Sequence, residues 1–288
     1  MKYPITGHTK LTGLLGSPVA HSISPLMHNT SFRQLGLDYV YLCFDVGEAD
    51  LKTAVEGLKV LGVRGFNCTM PDKTRMCELA DRLSPAARMI GAVNTVVNDD
   101  GILTGHNTDG VGYMMSLKES GVDIIGKNMT LLGAGGASSA IAVQAALDGV
   151  ARIRIFNRRT RSWKRGEQLV DEINRNTGCQ ASLFDLEDLT ELKHSLDSSQ
   201  LLTNGTSVGM APNPEGCLIP DHSMLHEGLV VSDIIYNPRK TRLMELGEQA
   251  GCRVLNGLYL LLFQGAEAFR IWTGQEMPVE QIKEAYFQ

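Results

Sequence analysis

The chain has 288 residues, of which 43% are hydrophobic and 20% charged, and a formal net charge of −5. That length accommodates two domains of ordinary size, and the acidic balance argues against a nucleic-acid partner, whose binders carry a basic face. Met1 to Thr6 lack the apolar core of a signal peptide, no apolar run is long enough for a bilayer, and the six cysteines are scattered without ligand spacing. The expectation is therefore a cytoplasmic protein with free thiols and no membrane partner.

Residues 11–17 predict a strand that Pro18 ends. Ser24-Pro25 reads as N-cap and first helical residue, and apolar residues from Met27 to Leu35 follow at helical spacing. Tyr39 to Val46 predicts a second strand, Leu51 to Leu61 an amphipathic helix, and Val63 to Thr69 an entry into the turn Met70-Pro71-Asp72-Lys73. A helix over Thr74 to Leu83 is expected next. Ala92 to Asn98 predicts a strand with Asn94 in its middle, Asp99-Asp100-Gly101 a hairpin turn, and Ile102 to Gly105 the returning strand. Strands and helices alternating at this rhythm predict an α/β unit with mainly parallel strands.

A second alternation starts near Gly110, with a helix over Val111 to Ser120 and a buried strand over Asn128 to Leu132. The turn after that strand reads Gly133-Ala134-Gly135-Gly136-Ala137-Ser138. Gly133, Gly135 and Gly136 permit a tight turn and leave no Cβ in the way of a phosphate, and a helix from Ala137 presents free N–H groups. Ser138 stands where the dinucleotide fingerprint usually has a third Gly or Ala, and the pattern alone also fits a plain glycine turn. Further strands are predicted at Ile153 to Phe156, Ser182 to Phe184, Leu201 to Asn204 and Leu229 to Ile234. Helices are predicted at Leu169 to Ile173 and at Leu243 to Ala250, closed by Gly251; Lys193 to Ser199 fits helix or loop. Leu258 to Ile271 and Val279 to Tyr286 are helical but continue no strand–helix repeat, so they are expected to return to the first domain.

Three polar clusters fall on loops at strand ends, where α/β proteins bind ligands: His21 to Pro25, Asn67 to Lys73, and His106 to Gly110. Asn94, flanked by apolar residues, is either a satisfied core amide or a ligand contact, and residue type does not decide between them. His222 and His226 have i,i+4 spacing without an evident third ligand, so no metal site is expected.

Taken together, the motifs resemble the shikimate/quinate dehydrogenase family along nearly the whole chain. The matching stretches are Ser22-Ile23-Ser24-Pro25, Asn67 to Lys73, Gly91-Ala92-Val93-Asn94-Thr95, Asn107-Thr108-Asp109-Gly110, Gly133 to Ser138, Asp233 to Pro238 and Gln264-Gly265-Ala266. Met70-Pro71-Asp72-Lys73 and Phe156-Asn157-Arg158-Arg159 look closer to the quinate/shikimate branch. The resemblance implies a two-domain α/β fold: residues 1–109 bind substrate, 110–257 form a Rossmann-like NAD(P)-binding domain, and 258–288 return to the first, with a cleft between the domains. It implies an oxidoreductase of the chorismate pathway that interconverts shikimate and 3-dehydroshikimate, with quinate and 3-dehydroquinate as a second pair, acting as a monomer or homodimer.

The same resemblance makes Lys73 and Asp109 the catalytic pair. Removing hydride from a ring alcohol requires a group that takes the hydroxyl proton. Whether the lysine works neutral or as a cation in a shared-proton network stays open. The substrate residues implied are Ser22 and Ser24 for the carboxylate, with Tyr236 nearby, and Thr69, Asn94, Asp109 and Gln264 for the ring hydroxyls. The cofactor residues implied are Gly133, Ala134, Gly135, Gly136, Ala137, Asn157, Arg158, Arg159, Thr160, Ile234, Tyr236 and Gly257. Where relatives commonly have Gly-x-Gly-Met-Leu, this chain has Gly257-Leu258-Tyr259-Leu260-Leu261, and Asp72 is an unusual neighbour for Lys73, expected to face solvent. Two alternatives stand beside this reading: a dehydrogenase for another polyhydroxy or amino acid, and a non-catalytic metabolite or cofactor sensor.

Cofactor choice rests on the end of the second Rossmann strand. A NAD-preferring unit has an Asp or Glu there for the ribose 2′-OH. Here the strand runs into Asn157-Arg158-Arg159-Thr160-Arg161, with no carboxylate until Glu167. Planar guanidinium groups suit a 2′-phosphate, so NADP is expected over NAD, with Arg158 as the main partner and Thr160 adding a hydroxyl.

Overall fold

Leu11, Leu14 and Leu15 lie in β1 (Lys10–Gly16), which runs parallel to β2 (Tyr39–Asp45) on one side and β3 (Gly65–Cys68) on the other. α1 (Ser24–Leu35) and α2 (Leu51–Val60) make the crossovers. The chain continues through α3 (Met76–Leu79), β4 (Arg82–Leu83), α4 (Pro85–Ile90), the antiparallel hairpin β5 (Thr95–Asp99) and β6 (Ile102–His106), and α5 (Asp109–Glu119). The sheet order is β2-β1-β3-β5-β6-β4. The structure, a computed structural model, describes residues 5–69, 71–160 and 162–287; Met70 and Arg161 of the sequence motifs lie outside the described residues.

The helix expected over 74–83 is only α3. Ala80 is extended, Arg82 pairs with Thr104 of β6, and Ser84 caps the next helix by accepting from Ala87 N at 3.2 Å. Strand pairing and a cap thus overrule helical spacing. Ser24 is likewise not the N-cap of α1. The cap is Ile23, which offers no side-chain bond, and Ser22 Oγ accepts from Ser24 N at 3.2 Å, so the Ser24 hydroxyl is not committed to capping. Asn94 precedes β5 in a bend instead of lying mid-strand.

The second sheet comprises β7 (Asn128–Leu132), β8 (Arg152–Asn157), β9 (Gln180–Asp185), β10 (Leu201–Asn204), β11 (Val230–Asp233) and β12 (Arg253–Leu255). All its pairs are parallel, in the order β12-β11-β10-β7-β8-β9. The order reverses between β7 and β10, which makes their carboxyl ends the topological switch point. α6 (Gly136–Leu147), α7 (Trp163–Asn176), α8 (Leu189–Asp197) and α9 (Arg242–Gln249) connect the strands. α8 resolves the ambiguous stretch as helix, its N-terminus capped by Asp188 Oδ1 accepting from Glu191 N at 3.0 Å. α10 (Leu258–Thr273) and α11 (Val279–Tyr286) complete the chain.

Two compact units result, Met1–Gly112 with Leu262–Gln288, and Tyr113–Leu261. In the first, Leu15, Phe66 and Val96 pack on Leu51, Val55 and Met76 in one core cluster. Elsewhere in that unit Phe32, Tyr41, Phe269 and Trp272 surround His28, and Trp272 Nε1 donates to Val96 O at 2.9 Å. In the second unit Leu132, Phe156, Leu202 and Val231 pack on Leu192, Leu196, Leu243 and Leu246. Burial of such side chains stabilises each unit by roughly 1.5–3 kcal/mol apiece. All six cysteines are free thiols. No helix among the described residues is long and apolar enough to cross a membrane.

Candidate active site

At the carboxyl ends of β1 and β3, backbone bonds shape the loop that carries Lys73. Thr69 N donates to Leu15 O at 2.9 Å, Asp72 N to Thr69 O at 3.0 Å, and Val93 N to Lys73 O at 2.8 Å. Asp109 opens α5, where a carboxylate interacts favourably with the helix dipole, and its N–H donates to Asn107 Oδ1 at 3.1 Å. The two segments bring the predicted pair together: Lys73 Nζ donates to Asp109 Oδ2 at 2.7 Å.

Asn94 fixes the other side of the carboxylate. Its Nδ2 donates to Asp109 Oδ1 at 2.8 Å and to Thr108 Oγ1 at 3.1 Å, while its Oδ1 accepts from Thr108 N at 2.8 Å. The amide is therefore hydrogen-bonded within the protein on both its nitrogen and its oxygen, and one of those bonds orients the Asp109 carboxylate. The network extends to residues whose spacing gave no sign of it. Asn67 Nδ2 donates to Thr95 Oγ1 at 3.0 Å and to Asn94 O at 3.1 Å, and Tyr41 OH donates to Asn67 Oδ1 at 2.8 Å. Buried networks of this kind rigidify a site when every member is paired.

The remaining substrate candidates occupy several elements. Ser22 lies half-buried on the loop into α1, Ser24 is buried as the first residue of that helix, and Thr69 is half-buried just after β3. Gln264 is half-buried on α10, in the same unit, with its backbone against Gly112 of α5. Tyr236 belongs to the second unit and is 47% exposed.

Asp72 does not face solvent. Its side chain is fully enclosed and neither carboxyl oxygen has a hydrogen-bond partner among the described residues. Burial, and secondarily the charge of Glu48, push its pKa up. The turn that projects Lys73 folds the adjacent side chain inward, which residue type alone did not reveal.

In the second unit the glycine turn follows β7 at the switch point. Gly133 has φ of +98°, and a Cβ there would lie 2.6 Å from Thr206 Cγ2. Only glycine fits both the left-handed conformation and the close approach. Gly135 and Gly136 are exposed, and the N-cap of α6, Gly135, supplies no side-chain bond to the helix N-terminus. Ala134 and Ser138 are buried and Ala137 is half-buried; Ser138 Oγ donates to Gly205 O at 2.9 Å. An open glycine floor before an uncapped twelve-residue helix fits a dinucleotide pyrophosphate, with backbone N–H groups as donors. Arg165, which no motif singled out, has its guanidinium 4.0 Å from where a Gly136 Cβ would be.

The turn after β8 carries the residues expected at the adenosine end. Asn157 Nδ2 donates to Ser162 Oγ at 3.0 Å and to Arg158 O at 3.2 Å, which closes the turn. Arg158 is exposed, and its guanidinium makes no hydrogen bond or ion pair among the described residues. Thr160 Oγ1 is 3.1 Å from Ser162 Oγ. Arg159 Nε donates to Asp185 Oδ2 at 2.7 Å. This carboxylate was invisible to a search along the chain, because β9 delivers it from 26 residues away.

Ile234 and Tyr236 sit on the loop after β11, which Asp233 organises. Asp233 accepts from Ile235 N at 3.1 Å, Asn204 Nδ2 at 3.1 Å and Thr241 Oγ1 at 2.8 Å. Gly257 donates its N–H to Ile235 O at 3.0 Å, and a Cβ on it would fall 1.8 Å from Ile234 O, so no larger residue fits this backbone. Tyr259 and Leu260 are half-buried in the first turn of α10.

Comparison with known proteins gives a consistent picture. Residues 14–96 match the family described as shikimate dehydrogenase substrate binding domain, and residues 257–285 match the shikimate 5'-dehydrogenase C-terminal domain. A shikimate dehydrogenase (NADP(+)) of Listeria innocua is 55% identical over 283 residues, covering 98% of this chain and 97% of the relative. A quinate/shikimate dehydrogenase of Escherichia coli is 45% identical over 280 residues, covering 97% of each. The crystal structure of shikimate 5-dehydrogenase from Listeria monocytogenes, in complex with shikimate and NAD, superposes with a TM-score of 0.96 at 54% identity and covers 99% of both chains.

Proposed function

Because the chain belongs to the shikimate dehydrogenase family, we propose that it interconverts shikimate and 3-dehydroshikimate, with Lys73 and Asp109 handling the proton of the reacting hydroxyl. It is an NAD(P)-dependent oxidoreductase. The observation that carries the residue assignment is the 2.7 Å bond from Lys73 to an Asp109 carboxylate whose other oxygen is held by Asn94.

A bound nicotinamide dinucleotide supplies the hydride acceptor. As the ring alcohol becomes a ketone, its hydroxyl proton is taken up by the Lys73–Asp109 pair acting as one acid–base unit, and the reverse reaction returns it. Asn94 holds Asp109 in place through this exchange. Ser22 and Ser24 donate hydroxyls to the substrate carboxylate, with Tyr236 contributing, and Thr69 and Gln264 bind ring hydroxyls. Gly133 to Ala137 hold the pyrophosphate, Arg158, Arg159 and Thr160 the adenosine end, with Asn157 closing their turn, and Ile234, Tyr236 and Gly257 the nicotinamide end. In domain terms, residues 1–109 with 258–288 bind substrate and 110–257 bind cofactor. The match of residues 14–96 to a substrate-binding family supports the first assignment.

Quinate is the second acid to test, since the Escherichia coli relative is named for both. Following nicotinamide absorbance with purified protein, both acids and both cofactors tests the proposal. Turnover of shikimate with NADP above every other combination is expected, and no turnover of either acid would overturn it.

A further inference from the structure

Arg159 is fixed on two sides. Its Nε donates to Asp185 Oδ2 at 2.7 Å, and its guanidinium lies over the Trp163 ring at 4.4 Å from the centroid. Trp163 is itself held, with Nε1 donating to Glu167 Oε1 at 3.0 Å. Asp185 is anchored by Glu187 N, which donates to Oδ1 at 3.1 Å. Asn157 and Asp185 are register partners at the carboxyl ends of β8 and β9, so this assembly stands beside the turn that carries Arg158.

An ion pair with Arg159 68% exposed adds little to stability. Its geometry does more than its energy. A guanidinium has five N–H donors in a planar fork, and the one used here is Nε. The four Nη hydrogens make no hydrogen bond among the described residues, and stacking on Trp163 sets the plane in which they lie. The Glu187 N–H first, and Arg159 second, keep the Asp185 pKa below the usual carboxylate value, so the anchor stays ionised at neutral pH.

We propose that Asp185 and Trp163 are positioning residues that pre-set Arg159 as a second ligand for the 2′-phosphate of the cofactor, beside the unrestrained Arg158. This rests on the cofactor reading above. Both Asp185 oxygens already accept bonds, so the carboxylate acts through Arg159 instead of receiving a ribose hydroxyl. That explains how a carboxylate close to the adenosine turn is compatible with NADP. Fixing the guanidinium before binding removes an ordering cost that a free arginine would meet on contact.

The test is calorimetric titration of the full-length protein with adenosine 2′,5′-bisphosphate and with ADP, alongside kcat and KM for NADP. Asp185→Asn should weaken the 2′,5′-bisphosphate about three- to tenfold, the scale of ordering one long side chain, and leave ADP unchanged. Asp185→Glu should recover part of the loss. Arg159→Ala should cost at least about tenfold, and adding Asp185→Asn to it should cost nothing more. KM for NADP should rise with kcat unchanged. Tighter binding of the bisphosphate in Asp185→Asn would overturn the proposal by making Asp185 a repelling charge, and weaker ADP binding would overturn it by making Asp185 a ribose ligand. If Arg158→Ala weakens the bisphosphate while Asp185→Asn does not, this inference fails and the cofactor reading survives. If wild type binds the bisphosphate no better than ADP, the cofactor reading itself falls.

Discussion

Lys73 and Asp109 are 36 residues apart in sequence and 2.7 Å apart in space, joined by a hydrogen bond between a loop after β3 and the first residue of α5. Their side chains are 30% and 16% exposed, so the pair is largely shielded from water yet not sealed from it. Its charges are screened less than on an open surface.

If the two side chains form one acid–base unit, Lys73→Ala lowers kcat by roughly 10²–10⁴-fold, the range for general catalysis. KM for the cofactor barely changes. The double variant with Asp109→Asn is impaired much less than the product of the single effects. Steady-state kinetics on folded variants checks this, and an unchanged kcat in Lys73→Ala removes the lysine from the mechanism.

Asn94→Ala strips Asp109 Oδ1 and Thr108 Oγ1 of a donor and leaves Thr108 N without its acceptor. Stability in urea should drop by about 1–3 kcal/mol, the cost of stranding buried polar groups. kcat should fall with it, because Asp109 is no longer oriented. A variant that is destabilised but fully active would restrict Asn94 to a structural role.

Arg158→Ala should weaken NADP more than tenfold, since an arginine–phosphate contact is worth about 1.5–3 kcal/mol, and leave NAD nearly untouched. Wild type should show the higher kcat/KM with NADP. A clear preference for NAD in the wild type contradicts the assignment of Arg158.

His28 is fully buried, neither ring nitrogen has a hydrogen-bond partner among the described residues, and its ring stacks on Tyr41 at 4.5 Å. Desolvation lowers its pKa from 6.5 to about 3. Between those values the unfolded chain binds more protons than the folded one, so stability is lost as pH falls. The slope approaches about 1.4 kcal/mol per pH unit for one such group. Unfolding midpoints at pH 7, 5 and 4 should fall less steeply in His28→Leu than in wild type, and parallel curves would show that His28 is not the group responsible.

Asp72 has the opposite sign. With its folded pKa raised, the folded state holds a proton that the unfolded chain has already released, so stability declines as pH climbs through the carboxylate range and then levels off. Asp72→Asn should remove that decline and leave the protein more stable than wild type at pH 7. Chemical denaturation at pH 4 and pH 7 reads the difference, and a variant less stable at both would mean that the carboxylate has a favourable partner.

The sequence by itself determined the alternation of strands and helices, the glycine turn at the head of the second sheet, and the loops on which the reactive residues stand. These are local matters: hydrophobic period, glycine at a left-handed turn and polar clusters after strands act over a few residues. It could also nominate Lys73 and Asp109, but only as residues of suitable chemistry in recurring motifs. Tertiary structure alone decided what each side chain meets. Arg82-Leu83 became a strand because β6 was there to pair with, Asn94 came within hydrogen-bond reach of Asp109, and Asp72 was folded inward beside a partly exposed lysine. Asp185 reached Arg159 across a parallel pair whose register no local pattern encodes. Hydrogen bonds and desolvation depend on distances between segments far apart in the chain. Those distances exist only once the sheets have formed.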